Sequence, residues 1–488
     1  MSEHKLLIGG EWRIGSGAEI VSLSPVTGAE VARFKGASLQ DVDEAVAAAK
    51  LAVRDPSWRD LKPHQRARIL SAIGDKIEQE IENIAQLQTL DTGKCLYETR
   101  GLATSAAATF RYMAAALETM DETLTTSRGD YLTMSVHEPI GVIGAITPWN
   151  SPIASDAQKI APALAAGNAV ILKPAAWTPL VSLMLGKICL EAGLPKGLLS
   201  VLPGSGSIVG DRIVRHPDIG KVAFTGGTNT GRGIALIAAD KLMPVSLELG
   251  GKSPTIVFAD ADIDHAINGV MYGIFSSTGQ SCIAGSRLFV ARAIYDDFVQ
   301  KLVERTKALR LGKPTDPETQ VAPMVSFEHR DTVAAYVDLA RAEGAEVLCG
   351  GGIPSAERYA TGAYYEPTIL VGLDNTARVC QEEIFGPVLI VLPFDDVDSL
   401  VEQANDSVYG LACGIWTTNF QQAYKTARSI EAGTVWINTY KQFSISTPFG
   451  GIKESGLGTE KGRKGIQEYM QQKSLYIGLN ESPLAWAD

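Results

Sequence analysis

Residues 169–202 read AVILKPAAWTPLVSLMLGKICLEAGLPKGLLSVL. Ala169–Lys173 is an unbroken apolar run of strand length, Pro179–Ala192 carries apolar residues at helical spacing, and Leu199–Leu202 is a second short apolar run. An apolar strand without alternation is one covered on both faces, as in a parallel sheet flanked by helices. The pattern continues with a helix over Ile208–Arg215, a strand over Lys221–Thr225, a helix over Asn229–Ala239 and a strand over Pro244–Leu249. Such alternation predicts a parallel, doubly wound α/β sheet. A second βα series runs from Thr255 through Val290, Val347, Val388 and Thr434, so two α/β domains are expected with a boundary near Gly250–Gly251.

Upstream, Ser38–Lys50, His64–Thr89 and Leu102–Leu117 read as helices, with Ser38 as an N-cap, and Gly141–Ile146 as a short strand ending near Pro148. Asp130–Glu138 and Lys473–Leu479 are β-prone and outside both series, and are expected to form a small oligomerisation arm. A chain of 488 residues is too long for one core. Its net charge of −11 argues against a nucleic-acid partner. The N-terminal MSEHKLLIGGEW lacks the features of a secretion signal and no apolar run is long enough to span a bilayer, so a cytoplasmic location is expected. The six cysteines (Cys95, Cys189, Cys282, Cys349, Cys380, Cys413) form no C-x-x-C pair, so neither a disulfide framework nor a metal site is expected.

Five stretches carry candidate chemistry. Cys282 sits in GQSCIAG (279–285), where small neighbours leave the thiol accessible and nearby N–H donors, or a helix start, would favour the thiolate. Glu248 ends an apolar strand beside two glycines, where burial would raise its pKa toward that of a general base. Asn150, held between Pro148 and Pro152, can aim its amide at a developing oxyanion. The glycine loops 204–210 and 224–231 join strand to helix and can face a dinucleotide, although neither is G-x-G-x-x-G. Taken singly, each also fits a plain structural role: a packed thiol, a strand-end cap, or a tight turn.

Their order is what discriminates. PWN at 148–150, LKPA at 172–175, FTGG at 224–227, LELGGK at 247–252, GQSCIAG at 279–285, EEIFGPV at 382–388 and PFGGIKESGLG at 448–458 together resemble the aldehyde dehydrogenase superfamily over essentially the whole chain. The resemblance implies a Rossmann-like NAD(P)-binding domain from 1–127 and 147–249, a catalytic domain from 250–440, and an arm from 128–146 and 469–488. Residues 441–468 would return to the cofactor domain and line a substrate tunnel. It further implies Cys282 as nucleophile, the Asn150 amide and the Cys282 N–H as oxyanion donors, and Glu248 as activator of the water that hydrolyses a thioester. Lys159 matches a family lysine in a proton relay.

By the same resemblance NAD or NADP is the cofactor. Lys173 and Ala176 would lie at the adenosine ribose, Gly206 and Gly210 at the adenine, and Phe224, Gly227 and Thr230 around the pyrophosphate and adenine. Leu249, Glu383 and Phe385 would hold the nicotinamide half, with Ile146, Thr147 and Trp149 as further contacts at the strand end. The partner is a small-molecule aldehyde, and a homo-oligomer, dimer or tetramer, is implied.

Two departures shape the expected specificity. The face expected to meet the aldehyde carries Ser151, Ser155 and Gln158 at helical spacing, opposite Phe443 and Phe449, with Lys441 nearby. Such a tunnel suits a bulky, oxygenated or aromatic aldehyde; the rival is a semialdehyde whose carboxylate meets Lys441 or Arg100. A coenzyme A-acylating relative would have no need of the water-activating Glu248, and a non-enzymatic scaffold would not need all three catalytic groups.

The second departure is Ala176, where NAD⁺-favouring members often carry a ribose-gripping glutamate; its loss also removes repulsion of a 2′-phosphate. The expected outcome is dual or NADP⁺-leaning use. With one aldehyde and both cofactors, kcat/KM for NAD⁺ should exceed that for NADP⁺ by no more than about a hundredfold, and a larger preference would overturn the reading.

Overall fold

The computed structural model describes residues 4–480 and Trp486. Its first sheet holds five parallel strands in the spatial order Leu199–Val201, Ala169–Lys173, Val142–Ile146, Lys221–Thr225, Val245–Glu248. In chain order this is 3-2-1-4-5, so the topology reverses between Val142–Ile146 and Lys221–Thr225, and ligands of such sheets bind at the strand ends beside that reversal. The central strands are buried at every residue, which is why their sequence shows no alternation. Leu6–Ile8 and Glu11–Arg13 add antiparallel strands at one edge, and Gly456–Leu457 pairs antiparallel with Val245–Glu248 at the other.

The second sheet has six parallel strands in the order Thr368–Val371, Val388–Phe394, Arg287–Ala291, Pro254–Val257, Ala412–Trp416, Thr434–Ile437, with Glu346–Cys349 antiparallel at one edge. The fold class is thus mixed α/β with two parallel-sheet domains. Ser455 joins them: its hydroxyl donates to Gly250 O at 2.7 Å and accepts from Gly410 N–H at 2.9 Å, while its carbonyl accepts from Leu249 N–H at 2.9 Å.

Local chemistry explains several boundaries. Leu39–Ala52 begins with a capping box, in which Ser38 Oγ accepts from Asp41 N–H and the Asp41 carboxylate accepts from Ser38 N–H. The stretch read as one helix over His64–Thr89 is two, Pro63–Gln79 and Ile81–Thr92, broken at Glu80. Residues 206–215 form a wide π turn, Gly206–Gly210, running into the short helix Asp211–Arg215.

The arm needs a correction. Three antiparallel strands, Thr123–Thr125, Tyr131–Pro139 and Met470–Gly478, form a separate sheet. Val142–Ile146, assigned with 128–146 to the arm, is instead a central strand of the first sheet, as its fully apolar side chains require. Thr123–Thr125, placed outside the arm, belongs to its sheet. The arm was also read as extending through residues 481–488, which, Trp486 apart, lie outside the described residues.

The loop at Gly450 is held against Gly433 so closely that a Cβ on Gly433 would stand 1.7 Å from Gly450 O. Gly433→Ala should therefore destabilise the fold by about 1–3 kcal/mol in chemical denaturation. A change below about 0.5 kcal/mol would mean that the Gly450 loop yields freely.

Candidate active site

The chain reaches Cys282 through a helix, Ile263–Phe275, and a 3₁₀ turn, Ser276–Gly279, in which Ser277 and Thr278 have positive φ. Four segments pin this approach. The Glu98 carboxylate accepts from Ser277 N–H at 2.6 Å, and the Thr278 hydroxyl donates to Ala322 O at 2.9 Å. Gln280 Oε1 accepts from Val325 N–H at 2.9 Å, and Gly279 lies against Gly386 O. Asn150 Nδ2 donates to Gln280 O at 3.0 Å, tying the start of the Pro152–Ala165 helix to the nucleophile loop. That leaves the second amide N–H of Asn150 and the backbone N–H of Cys282 without a protein acceptor among the described residues.

Cys282 is half-buried, whereas the other five cysteines are buried. The surroundings of Cys282 oppose the shift toward thiolate expected from its immediate neighbours. Cys282 lies in a turn, not at a helix start, and burial, then the Glu383 and Glu248 carboxylates, push its pKa up to about 12. Lys441 and the Ile283 N–H act in the opposite direction and are outweighed. As the structure stands, the thiol is protonated at neutral pH.

Glu248 ends its strand at 5% exposure, with Oε2 lacking a hydrogen-bond partner among the described residues. Burial and the neighbouring Glu460 charge raise its pKa well above the carboxylate range, against the pull of Lys159 and Lys461. Glu460 itself forms a buried ion pair with Lys159. Two carboxylates, Glu248 and Glu460, thus share two lysines, Lys159 and Lys461. Neither Glu460 nor Lys461 is singled out by the sequence motifs, although only Thr459 separates them from PFGGIKESGLG.

A cleft of about 870 Å³ opens at the reversal point of the first sheet. Ile146, Thr147 and Trp149 line its central edge; Lys173, Ala176, Gly206 and Gly210 line one side; Phe224, Gly227 and Thr230 line the other. A Cβ built on Gly206 or Gly227 meets nothing within 4 Å, so both face open space. Burial lowers the Lys173 pKa to about 8. Asp211 and Trp177 also line this cleft and were not anticipated; Asp211 directly follows the glycine loop, and its carboxylate accepts from Arg215 Nε.

Leu249, Glu383 and Phe385 lie outside the lining of this cleft. Leu249 packs under Gly231, and Glu383 accepts from Gly251 N–H at 3.0 Å while burial raises its pKa to about 7. Phe385 meets Trp149 edge-on at 5.2 Å, and its carbonyl accepts from His329 Nε2–H at 2.8 Å. Through Trp149 and Glu383 these residues connect the cleft to the surroundings of Cys282.

Of the expected tunnel residues, Ser151, Ser155 and Gln158 are all half-buried, and the two serine hydroxyls lie 3.1 Å apart, hydrogen-bonded to each other. Phe449 and Cys282 both pack against a cluster containing Ile283, Leu411, Trp436 and Tyr440, and Phe443 meets Phe449 edge-on. Lys441 Nζ donates to Ser276 Oγ at 2.8 Å. Arg100 is occupied elsewhere, in an exposed two-point pair with Glu82.

The sequence profile described as the aldehyde dehydrogenase family matches residues 12–475. The chain belongs to this family. Membership makes it an oxidoreductase that acts on aldehydes with a nicotinamide cofactor. It is 42% identical to a betaine aldehyde dehydrogenase of Mesorhizobium japonicum over 94% of each chain. An NAD⁺ complex of an aldehyde dehydrogenase from Bacillus cereus superposes with a TM-score of 0.96 at 38% identity, covering 98% of this chain and 97% of that one. A betaine aldehyde dehydrogenase from Staphylococcus aureus, also in complex with NAD⁺, gives 0.97 at 35% identity, covering 100% and 97%.

With its pKa near 12, Cys282 should react slowly with iodoacetamide in the cofactor-free enzyme, the rate climbing about tenfold per pH unit between about pH 7 and pH 10. Cys282→Ala supplies the background. A plateau below about pH 8 would mean that the thiolate is already formed.

Proposed function

We propose that this enzyme oxidises a bulky, oxygen-bearing or aromatic aldehyde to its carboxylic acid through a covalent adduct on Cys282. Three groups from separate parts of the chain carry the reading: the thiol of Cys282, the amide of Asn150 held at 3.0 Å to Gln280 O, and the buried carboxyl of Glu248. The half-buried hydroxyls of Ser151 and Ser155 and the amide of Gln158 favour an oxygenated substrate over a short aliphatic one.

Cys282 must first lose its proton, and Glu248 and Glu383, both with pKa values raised by burial, are the nearby acceptors. The sulfur then bonds to the carbonyl carbon, and the displaced π pair becomes an oxyanion received by the Asn150 amide and the Cys282 N–H. The nicotinamide cofactor supplies the hydride acceptor that converts the thiohemiacetal to a thioester. Glu248 takes a proton from water as the water oxygen bonds to the thioester carbon, and the Cys282 thiolate leaves. The Glu460–Lys159 pair beside Glu248 offers that proton a route away from the site. A retained water-activating carboxylate favours hydrolysis over acyl transfer to coenzyme A.

The cleft fits the cofactor. Its volume, its place at the sheet's reversal point and the open faces of Gly206 and Gly227 accommodate a dinucleotide. In this reading Lys173, Thr230 and Phe224 hold the adenosine and pyrophosphate side, and Leu249, Glu383 and Phe385 the nicotinamide half. Ala176 lets either NAD⁺ or NADP⁺ enter, with the Asp211 charge partly engaged by Arg215. The arm exposes Leu124, Tyr476, Ile477 and Leu479, an apolar surface suited to homo-oligomer formation. The cysteines are all free, which suits a reducing cytoplasm.

Rapid-mixing kinetics test the division of labour. Cys282→Ala should yield no aldehyde-dependent NAD(P)H. Glu248→Gln should release about one equivalent of NAD(P)H per site and then turn over at least about a hundredfold more slowly. NAD(P)H formation by Cys282→Ala would overturn the nucleophile, and unchanged steady turnover by Glu248→Gln would overturn the base.

A further inference from the structure

The wall beside Cys282 is unusually aromatic, and a cation already lies against it. Trp436, Tyr440, Phe443 and Phe449 form a chain of rings with centroid spacings of 5.0 Å for Trp436–Tyr440, 5.4 Å for Trp436–Phe443 and 5.5 Å for Phe443–Phe449. Faces of this kind are what a quaternary ammonium ligand needs. Here Lys461 Nζ sits 3.8 Å from the Phe443 centroid and 5.2 Å from that of Phe449.

Lys461 is only 7% exposed and is held at φ 61, a conformation costly for a residue with a side chain. Its ammonium donates to no carboxylate or carbonyl among the described residues. Adjacent Glu460 is taken by Lys159, and Glu248 is held toward its neutral form by burial. A second ammonium, that of Lys441, stands 5.9 Å from the Tyr272 ring, and the charges of both lysines act on Cys282. Two lysines therefore stand near the nucleophile: Lys441 spends one donor on Ser276 Oγ, and Lys461 spends none on a carboxylate or carbonyl among the described residues.

We propose that Lys461 is a specificity-determining residue that selects aldehydes bearing a carboxylate and rejects those bearing a trimethylammonium group. The inference rests on the aldehyde-oxidising reading above and narrows its substrate class. A distal carboxylate would accept charge-assisted hydrogen bonds from Lys461 Nζ while the rest of the substrate lies along Phe443 and Phe449. A trimethylammonium group on the Phe443 or Phe449 face would meet like charge. On this reading the substrate of the chain differs in charge from the aldehyde in the names of its betaine aldehyde dehydrogenase relatives.

The test compares kcat/KM for succinic semialdehyde, its methyl ester and betaine aldehyde in the wild-type enzyme, Lys461→Leu and Lys461→Arg. The wild type should prefer the carboxylate over the ester by about tenfold or more. Lys461→Leu should abolish that ratio and raise betaine aldehyde relative to the ester, while Lys461→Arg should keep it. Equal use of carboxylate and ester by the wild type would overturn the proposal, as would a uniform loss on all three aldehydes in Lys461→Leu, which would mark a role at Cys282 or Glu248 instead. If Lys461→Leu does not fold, inhibition of the wild type decides: butyrate should inhibit more strongly than methyl butyrate, and equal inhibition overturns the proposal. Absence of NAD(P)H from all three aldehydes would overturn the aldehyde-oxidising reading itself.

Discussion

A Cβ at Gly251 would stand 2.4 Å from the carbonyl oxygen of Cys282, and one at Gly250 would stand 2.4 Å from a Glu383 carboxylate oxygen. These glycines lie in the short link between the last parallel strand of one sheet, Val245–Glu248, and the first strand of the other, Pro254–Val257. The link therefore positions Glu248 as well as connecting the domains, and it does so by letting the nucleophile loop and the Glu383 loop press onto bare backbone. Any side chain there would force the nucleophile, the base and Glu383 apart together. The hydrogen bonds of Ser455 to Gly250 and Gly410 hold the same junction from the other side.

Closing the site this tightly has an electrostatic consequence. Cys282, Glu248 and Glu383 all have pKa values raised by desolvation, while Lys441 is lowered to about 7 and Lys461 to about 8. The carboxyl of Glu383 and the two lysines are brought close together in proton affinity, while the Cys282 thiol is pushed above all three. A proton can then move between carboxyl and lysine at little cost, whereas its removal from the sulfur is the step that this surrounding opposes. The arrangement also makes an uncompensated positive charge near the thiol valuable.

The parallel sheets were legible because strands covered on both faces must be apolar throughout, as Ala169–Lys173 and Val142–Ile146 are. The same property misled at the arm: sequence position grouped Val142–Ile146 with Tyr131–Pro139, whereas side-chain character separates a buried central strand from a half-buried one. The immediate neighbours of Cys282, small residues with free N–H groups, favour the thiolate, and the folded surroundings oppose it. Burial and two carboxylates from distant segments outweigh what the heptapeptide supplies. Lys461 went unread for a related reason. Phe443, Phe449 and Lys461 meet only once the chain has turned back on itself, and no local spacing announces a cation over a ring.

Ser455 and Gly456–Leu457 close the edge of the first sheet from a position 205 residues beyond Gly250. A nascent chain emerging from the ribosome therefore carries Cys282 and Glu248 long before the segment that seals them is made. Contacts of such sequence separation are costly to form and come late in folding. During that interval the thiol stands beside an open sheet edge, exposed to oxidants and to strand pairing with neighbouring chains. The geometry that shelters the finished enzyme thus leaves its unfinished form vulnerable, and the burden of protecting it falls on the speed of synthesis and on chaperones.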